Sequence, residues 1–489
     1  MIDNSLLIPE FPSSATLEDS GNGLYSPDWV KNLIIVEVNV QTASPDGTFN
    51  GMPFVLDHLA EMGVNGIWVT PIHGGRHYLN YGPASLNPQL VGTEDIDEGW
   101  RVVKNFVDEA HKRRIRVFFD IVTWGANPEA PIVAERPSFF DGFSEDFKGP
   151  LYNWKNPELV DWFSQAMVDI IYRTGADGFR ADSSIKFCGQ ELYARVRRRL
   201  HDEGVYIAIF GEAISEGTET FFDFNEHSID YWTTLEGTKF VEGDINFVSG
   251  YKADMIAAVK EGRGLDTRSR QAAGTAGMLR FYSSIVSCHD TPRYIACGNI
   301  VRIAYSSIFS PFIPVWYIGE EWNNPYTGTE TCKWLYANKI DWNQIECNRG
   351  FYETVKKCIR IRRLFPEIFE YFPKNHRLVN FCAVDTEPDC KLPAYARTGN
   401  GYGILVIPNP LETPQNLTVT IPLKELGINP EEPYAAFDLL AGKQIPVNNM
   451  SEGRFQVLVN AGNVGVYGIC YSQNNNNPFK KVLEIYSNV

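Results

Sequence analysis

The sequence has no cysteine pair spaced to form a metal cage or a redox motif. Its nine cysteines stand singly, at 188, 288, 297, 332, 347, 358, 382, 390 and 470, and the odd number favours free thiols. A secretory leader is also missing: residues 1–14 hold two acids, no basic group and no long apolar run. No later run approaches the ~20 apolar residues a membrane span needs. Together these absences predict a cytoplasmic location. Positive charge is in short supply, with 44 Lys and Arg against 60 Asp and Glu for a net charge of −16. Such a surface repels nucleic acid and anionic lipid, so no nucleic-acid or membrane partner is expected. Oligomeric state is not legible.

What is abundant is aromatic: 13% of residues, including 11 Trp and 23 Tyr. Most must pack in cores, but flat rings that also carry a donor suit stacking on sugars. At 489 residues the chain exceeds one ordinary core and fits a large α/β barrel with an appended smaller domain.

From about residue 30, apolar β-branched runs alternate with amphipathic stretches, the pattern of repeated βα units. Strands are read at Leu33 to Val38, Gly66 to Val69, Ile115 to Asp120, Gly178 to Asp182, Ile207 to Glu212, Ser284 to Cys288 and Phe312 to Tyr317, with a weak one at Asp230 to Thr234. Helices are read at Met52 to Met62, Trp100 to Arg113, Pro157 to Arg173, Glu191 to His201, Tyr251 to Lys260 and Tyr352 to Leu364. The fold class predicted is α/β: a (β/α)8 TIM barrel over 30–122 and 154–370, interrupted after its third strand by a short excursion domain at 123–153. An N-terminal extension, 1–29, precedes it. Short alternating strands over 371–472 predict a C-terminal antiparallel β-sandwich, and 473–489 reads as a loosely attached tail.

In such a barrel the reacting groups sit at the C-terminal ends of strands. Asp120, Asp182, Glu212 and the pair His289-Asp290 close four of the apolar runs. Carboxylates gathered at one rim repel each other, which a purely structural rim would avoid. Two of them flanking a glycosidic bond supply what acetal cleavage needs, a proton for the leaving oxygen and a nucleophile for the anomeric carbon. Arg180 shares a sheet face with Asp182 and is expected to keep it ionised. Glu212, flanked by Phe210, Gly211 and Ala213, has the apolar setting of a proton donor. His111, within a helix, reads as a solvated or capping group.

These motifs resemble the α-amylase family of glycoside hydrolases over roughly residues 30 to 470. The family's short segments stand in order: Asp120-Ile121-Val122, Gly178-Phe179-Arg180-Ala181-Asp182, Gly211-Glu212 and His289-Asp290. The segments Gly66 to Ile72, Asn153 to Glu158 and Pro314 to Glu321 are similar to further family stretches. The resemblance implies a retaining enzyme on α-linked glucosides, with Asp182 as nucleophile, Glu212 as acid/base and Asp290 as supporting carboxylate. It also implies substrate contacts from Tyr81, as the platform under the sugar, and from Asp120, Arg180 and His289. Hydrolysis, transfer to another sugar and isomerisation share one intermediate and stay open, as does a silent glucan-binding scaffold.

The chain departs from the family after Asp120-Ile121-Val122. Thr123-Trp124-Gly125 replaces x-N-H, and Ile185 and Lys186 stand where K-H is common. Trp124 removes an oxygen ligand of the structural calcium that many relatives hold, so no metal and no cofactor are expected. Asp141, Glu145 and Asp146 are the carboxylates that remain nearby.

Overall fold

The computed structural model describes residues 26–182, 185–212, 224–225, 283–289, 299–310, 312–324, 339–369, 380–447, 452–472 and 477–486. Eight parallel strands form one sheet: β1 (Ile35–Val38), β2 (Gly66–Val69), β3 (Arg116–Val122), β4 (Gly178–Asp182), β5 (Ala208–Gly211), β6 (Phe224–Asn225), β7 (Ser283–Ile285) and β8 (Ile313–Tyr317). They lie in the order β6-β5-β4-β3-β2-β1-β8-β7, with the eighth strand paired to the first, which is the cyclic order of a closed eight-stranded barrel. This is a (β/α)8 barrel. The weak strand expected at Asp230 to Thr234 lies outside the described residues, and the strand seen in that part of the chain is β6. The helix expected at Tyr251 to Lys260 also lies outside them.

The helices start and stop on local chemistry. Asp95 accepts from the N–H groups of Asp97 and Glu98, so α2 (Ile96–Lys112) begins before the expected Trp100. Asn156 caps α3 (Pro157–Thr174) with proline at the first helical position. The helix α1 (Met52–Met62) matches its expected bounds, whereas α4 (Ile185–Asp202) and α5 (Arg349–Leu364) start earlier than expected.

Inside the barrel, Ile35, Trp68, Phe118, Phe210, Ile313 and Val315 form one buried cluster. The turn Asp28–Asn32 closes its lower end, with the Trp29 ring 6.1 Å from that of Phe118 and the Arg116 guanidinium 4.1 Å over Trp29. These residues therefore pack with the barrel, although an extension had been expected to run through residue 29.

The excursion after β3 is modest: a short helix Pro131–Glu135, a 3-10 turn Pro137–Phe139 and a hairpin, Phe140–Ser144 with Gly149–Tyr152. Beyond α5, eight antiparallel strands follow: β9 (Phe381–Glu387), β10 (Ala394–Thr398), β11 (Tyr402–Asn409), β12 (Gln415–Thr420), β13 (Tyr434–Asp438), β14 (Lys443–Ile445), β15 (Arg454–Val459) and β16 (Asn463–Tyr471). Phe455 on β15 meets Tyr467 on β16 at 5.5 Å although the two strands are not hydrogen-bonded neighbours. The sheet thus folds over its own core as a sandwich. The short β10 and β14 escaped the sequence reading.

The tail is not loose. Residues Lys480–Tyr486 form the helix α6, and Phe479, fully buried, packs its ring 5.3 Å from Phe365 and 6.1 Å from Tyr402 and from Phe437. A run of four asparagines hid an apolar anchor just beyond it.

At the lower rim, Asp177 is buried against three donors. Arg116 Nη1 and His111 Nε2 lie 2.8 Å away, and Val117 N donates at 2.9 Å. Burial raises the carboxyl's pKa, but these partners outweigh it and hold the group below its ordinary value. His111 is therefore an inward partner of Asp177, not a solvated or capping group. Replacing Asp177 by Ala strands the buried Arg116 charge. The expected loss is about 3–5 kcal/mol of unfolding free energy, measured by urea titration at pH 7. Because the folded-state pKa is lowered, this contribution is present above the unfolded carboxylate value and fades as pH falls through the folded one.

Candidate active site

Gly178 opens β4, and a Cβ there would stand 1.7 Å from the Ala208 carbonyl oxygen. Glycine lets β4 close on β5 in a register that sets Asp120 beside Arg180 and Val122 beside Asp182 on the other flank. Side chains alternate along a strand, so Asp120, Arg180 and Asp182 all project to the barrel interior near the C-terminal rim.

Arg180 is fully buried and organises the cluster. Its Nη1 donates to Asp182 Oδ1 at 2.7 Å and to Asp120 Oδ1 and Oδ2 at 3.1 and 3.3 Å, and its Nη2 lies 3.7 Å from Glu212 Oε1. Its guanidinium carbon sits 4.8 Å over the Trp68 ring. Asp120 also accepts from Trp68 Nε1 at 3.1 Å and from the Tyr78 hydroxyl at 2.7 Å. Neither Asp120 nor Arg180 exposes any side-chain surface. The sequence reading had them contacting substrate; their burial instead places them behind Asp182, Glu212 and Tyr78. Glu212 is the most open of the group, its side chain 24% exposed against 10% for Asp182.

Burial, then the neighbouring Glu212 carboxylate, push the Asp182 carboxyl well above its ordinary value, while Arg180 pulls the other way. The expectation that Arg180 keeps Asp182 ionised is thus corrected: burial and a like charge at close range outweigh the guanidinium.

His289 is brought to the same rim. Glu37, buried on β1, approaches its Nδ1 at 2.5 Å through Oε1 and accepts from its backbone N–H at 3.0 Å through Oε2. Asp290 lies outside the described residues. The tyrosine at this rim is Tyr78, not Tyr81. The Tyr78 ring stacks on His289 at 4.7 Å and 19°, and burial followed by Asp120 raises its hydroxyl pKa well above the ordinary value, so it remains a donor. Tyr81 instead packs on the backbone of Gly74 and Gly75, where an added Cβ would come within 2.8 and 3.1 Å of its ring. Glu37, Trp68 and Tyr78 were missed. An acid inside the apolar run Ile34 to Val38 was the signal for Glu37; Tyr78 had only its nearness to Tyr81.

No family model matches the chain. It is 22% identical to the maltogenic α-amylase of Bacillus acidopullulyticus over 449 residues, 78% of this chain and 70% of that one. The cyclomaltodextrinase of Geobacillus thermopakistaniensis is also 22% identical, over 78% of this chain and 70% of its own. The chain is thus similar along most of its length to α-amylase-type enzymes. The fold is shared with the crystal structure of the maltogenic α-amylase AmyB from Thermotoga neapolitana, with a TM-score of 0.64 at 16% identity, covering 90% of this chain and 99% of that one.

The segment 123–127 is where the chain departs from the α-amylase pattern that it otherwise resembles. The Trp124 indole donates to the Tyr78 carbonyl at 2.9 Å. Asp141, Glu145 and Asp146 are exposed on the excursion hairpin, where Glu145 pairs with Lys148 at 3.1 Å. The side chain of Lys186 lies outside the described residues. Among the described residues no group of three or more His, Cys, Asp or Glu could hold a metal ion. The described cysteines are free, and no described helix is long and apolar enough to cross a membrane.

Two measurements follow from this geometry. EDTA should leave the melting temperature unchanged, and millimolar calcium should not raise it, because an ion stabilises only a native state that binds it. Asp182→Asn should raise the melting temperature at pH 7, by about 2–4 °C for each kcal/mol of repulsion relieved. The folded-state pKa lies above the unfolded one, so the stability tied to this proton is present at low pH and lost as pH rises through the folded value. The gain should therefore shrink towards pH 4 in calorimetric scans at stepped pH.

Proposed function

We propose that the protein is a retaining glycoside hydrolase or transglycosylase acting on α-linked glucosides of the maltooligosaccharide type. The observation that carries this reading is one buried guanidinium holding Asp120, Asp182 and Glu212 together at the ends of β3, β4 and the chain just past β5. The named relatives, a maltogenic α-amylase and a cyclomaltodextrinase, support the substrate class.

Arg180 lies closer to Asp182 than to Glu212 and draws negative charge towards Asp182, against the burial and the neighbouring carboxylate that raise its pKa. Asp182 attacks the anomeric carbon while the Glu212 carboxyl protonates the departing glycosidic oxygen, leaving a glycosyl ester on Asp182. Glu212, now a carboxylate, takes a proton from water or from a sugar hydroxyl. That oxygen attacks the same carbon and frees Asp182. Hydrolysis and transfer differ only in the acceptor. Tyr78, its ring stacked on His289, offers a flat surface beside the reacting carbon. Asp290, next to His289 in sequence, is assigned the supporting carboxylate by the family motif. The short excursion leaves one wall of the cleft low, which suits short oligosaccharides.

The test is to incubate the enzyme with maltotriose, starch, sucrose and trehalose and to separate the products by chromatography. Asp182→Ala and Glu212→Gln should each lower kcat on the preferred glucoside by about 10³-fold or more with the far-UV spectrum unchanged. Near-wild-type turnover in either variant would overturn the assignment.

A further inference from the structure

Two indole N–H groups connect the excursion to the reacting residues. Trp124, 1% exposed, donates to the Tyr78 carbonyl at 2.9 Å. Trp154 donates at 2.9 Å to the carbonyl of Thr123, whose hydroxyl in turn donates to the Asp182 carbonyl at 3.2 Å. The segment carrying Thr123 and Trp124 is stitched on both sides. Towards the excursion hairpin, Ala126 N donates to the Pro150 carbonyl at 3.1 Å and Tyr152 N to the Trp124 carbonyl at 3.3 Å. Towards the hairpin that bears Tyr78, Asn127 N donates to the Asn80 carbonyl at 2.7 Å and its side-chain amide to the Leu79 carbonyl at 3.3 Å.

Gly125 makes this approach possible, since a Cβ there would stand 2.1 Å from the Pro150 carbonyl oxygen. A histidine at 125 is excluded by the same contact. Phe147, at the far end of the excursion hairpin, stacks on Trp124 at 4.6 Å and 23°, backing the indole from outside. The residue before Tyr78 also needs an anchor beside it: His77 has φ 47°, a left-handed conformation that side chains other than glycine rarely adopt.

We propose that Trp124 is a positioning residue. Its indole N–H, backed by Phe147, fixes the strained turn at His77-Tyr78, and through it the Tyr78 hydroxyl on Asp120 and the Tyr78 ring on His289. The excursion is thereby a working part of the site, reaching Tyr78 through Trp124 and the Asp182 backbone through Trp154 and Thr123. This rests on the reading of Asp182 and Glu212 as the catalytic pair.

The test is a double-mutant cycle with maltotriose as substrate. Trp124→Phe keeps a ring against Phe147 but removes the N–H, and should lower kcat by about tenfold, the effect of one buried hydrogen bond, with KM changing less. Tyr78→Phe should lower kcat/KM by itself. In the Trp124→Phe background its further effect should be at least about threefold smaller, the coupling of two groups acting on one geometry. Losses that multiply independently, or a Trp124→Phe enzyme with a lower melting temperature and unchanged kcat, would reduce Trp124 to a packing residue and overturn the proposal. Should Trp124→Phe fail to fold, Phe147→Leu serves instead: it loosens the indole from the surface and should show the same coupling to Tyr78→Phe, with additivity again overturning it. An Asp182→Ala enzyme that retains turnover sinks the catalytic reading itself. An inactive Asp182→Ala with an additive cycle sinks only the role of Trp124.

Discussion

The buried guanidinium of Arg180 is the constraint on which the catalytic rim depends. A fully desolvated cation is costly unless every direction it faces is matched by an acceptor. Asp120, Asp182 and Glu212 provide those acceptors from three consecutive strand ends, and the Trp68 face lies against it. The requirement runs both ways. Three carboxylates this near one another would not stay charged in a low-dielectric pocket without a cation that cannot give up its proton. Arg180 thus makes the site possible and fixes its geometry, while burial and Glu212 keep the Asp182 charge under tension.

A second layer holds this cluster from behind. Asp120 is saturated by Arg180, Trp68 and Tyr78, and His289 is gripped at ring and backbone by Glu37. Each of these contacts fixes the orientation of a rim side chain. By contrast Asp177, with its bonds to Arg116, His111 and Val117, does comparable work at the lower rim, where no chemistry is placed. The barrel therefore carries one ion cluster at each rim.

The excursion shows how a short insertion can matter. Its ordered part is little more than one hairpin and two turns, yet through Trp124 and Trp154 it meets the backbone on both sides of the rim. Directional hydrogen bonds from rigid indoles need no ion and leave no charge to balance. Gly125 is the complement of that solution, absent side chain and all.

How much was legible follows from the physics of each feature. Barrel strands buried on both faces are continuous apolar runs, so seven of the eight could be placed from sequence, and the acids that end them stood out as interruptions. The two-residue β6 and the three-residue β14 carry too few residues for a pattern. Arg180 could be assigned to the face of Asp182 because strand periodicity is local. Tyr78, Glu37 and Trp68 could not be assigned, since their partners lie 42, 252 and 52 residues away in sequence. The choice between Tyr78 and Tyr81 turned on a hairpin whose path is set by Trp124 and Asn127, contacts that exist only once the excursion has folded back. The docked helix α6 was hidden for the same reason: Phe479, Val482 and Tyr486 follow a run of four asparagines, and their burial exists only once barrel and sandwich surround them. By itself the sequence determined the fold class and the order of the carboxylates, because burial patterns and strand-end acids are written in neighbouring residues. Which tyrosine reaches the rim, which groups stand behind Asp182 and what holds its carboxylate were decided only by tertiary structure, because those depend on distances between strands that the chain brings together from far apart.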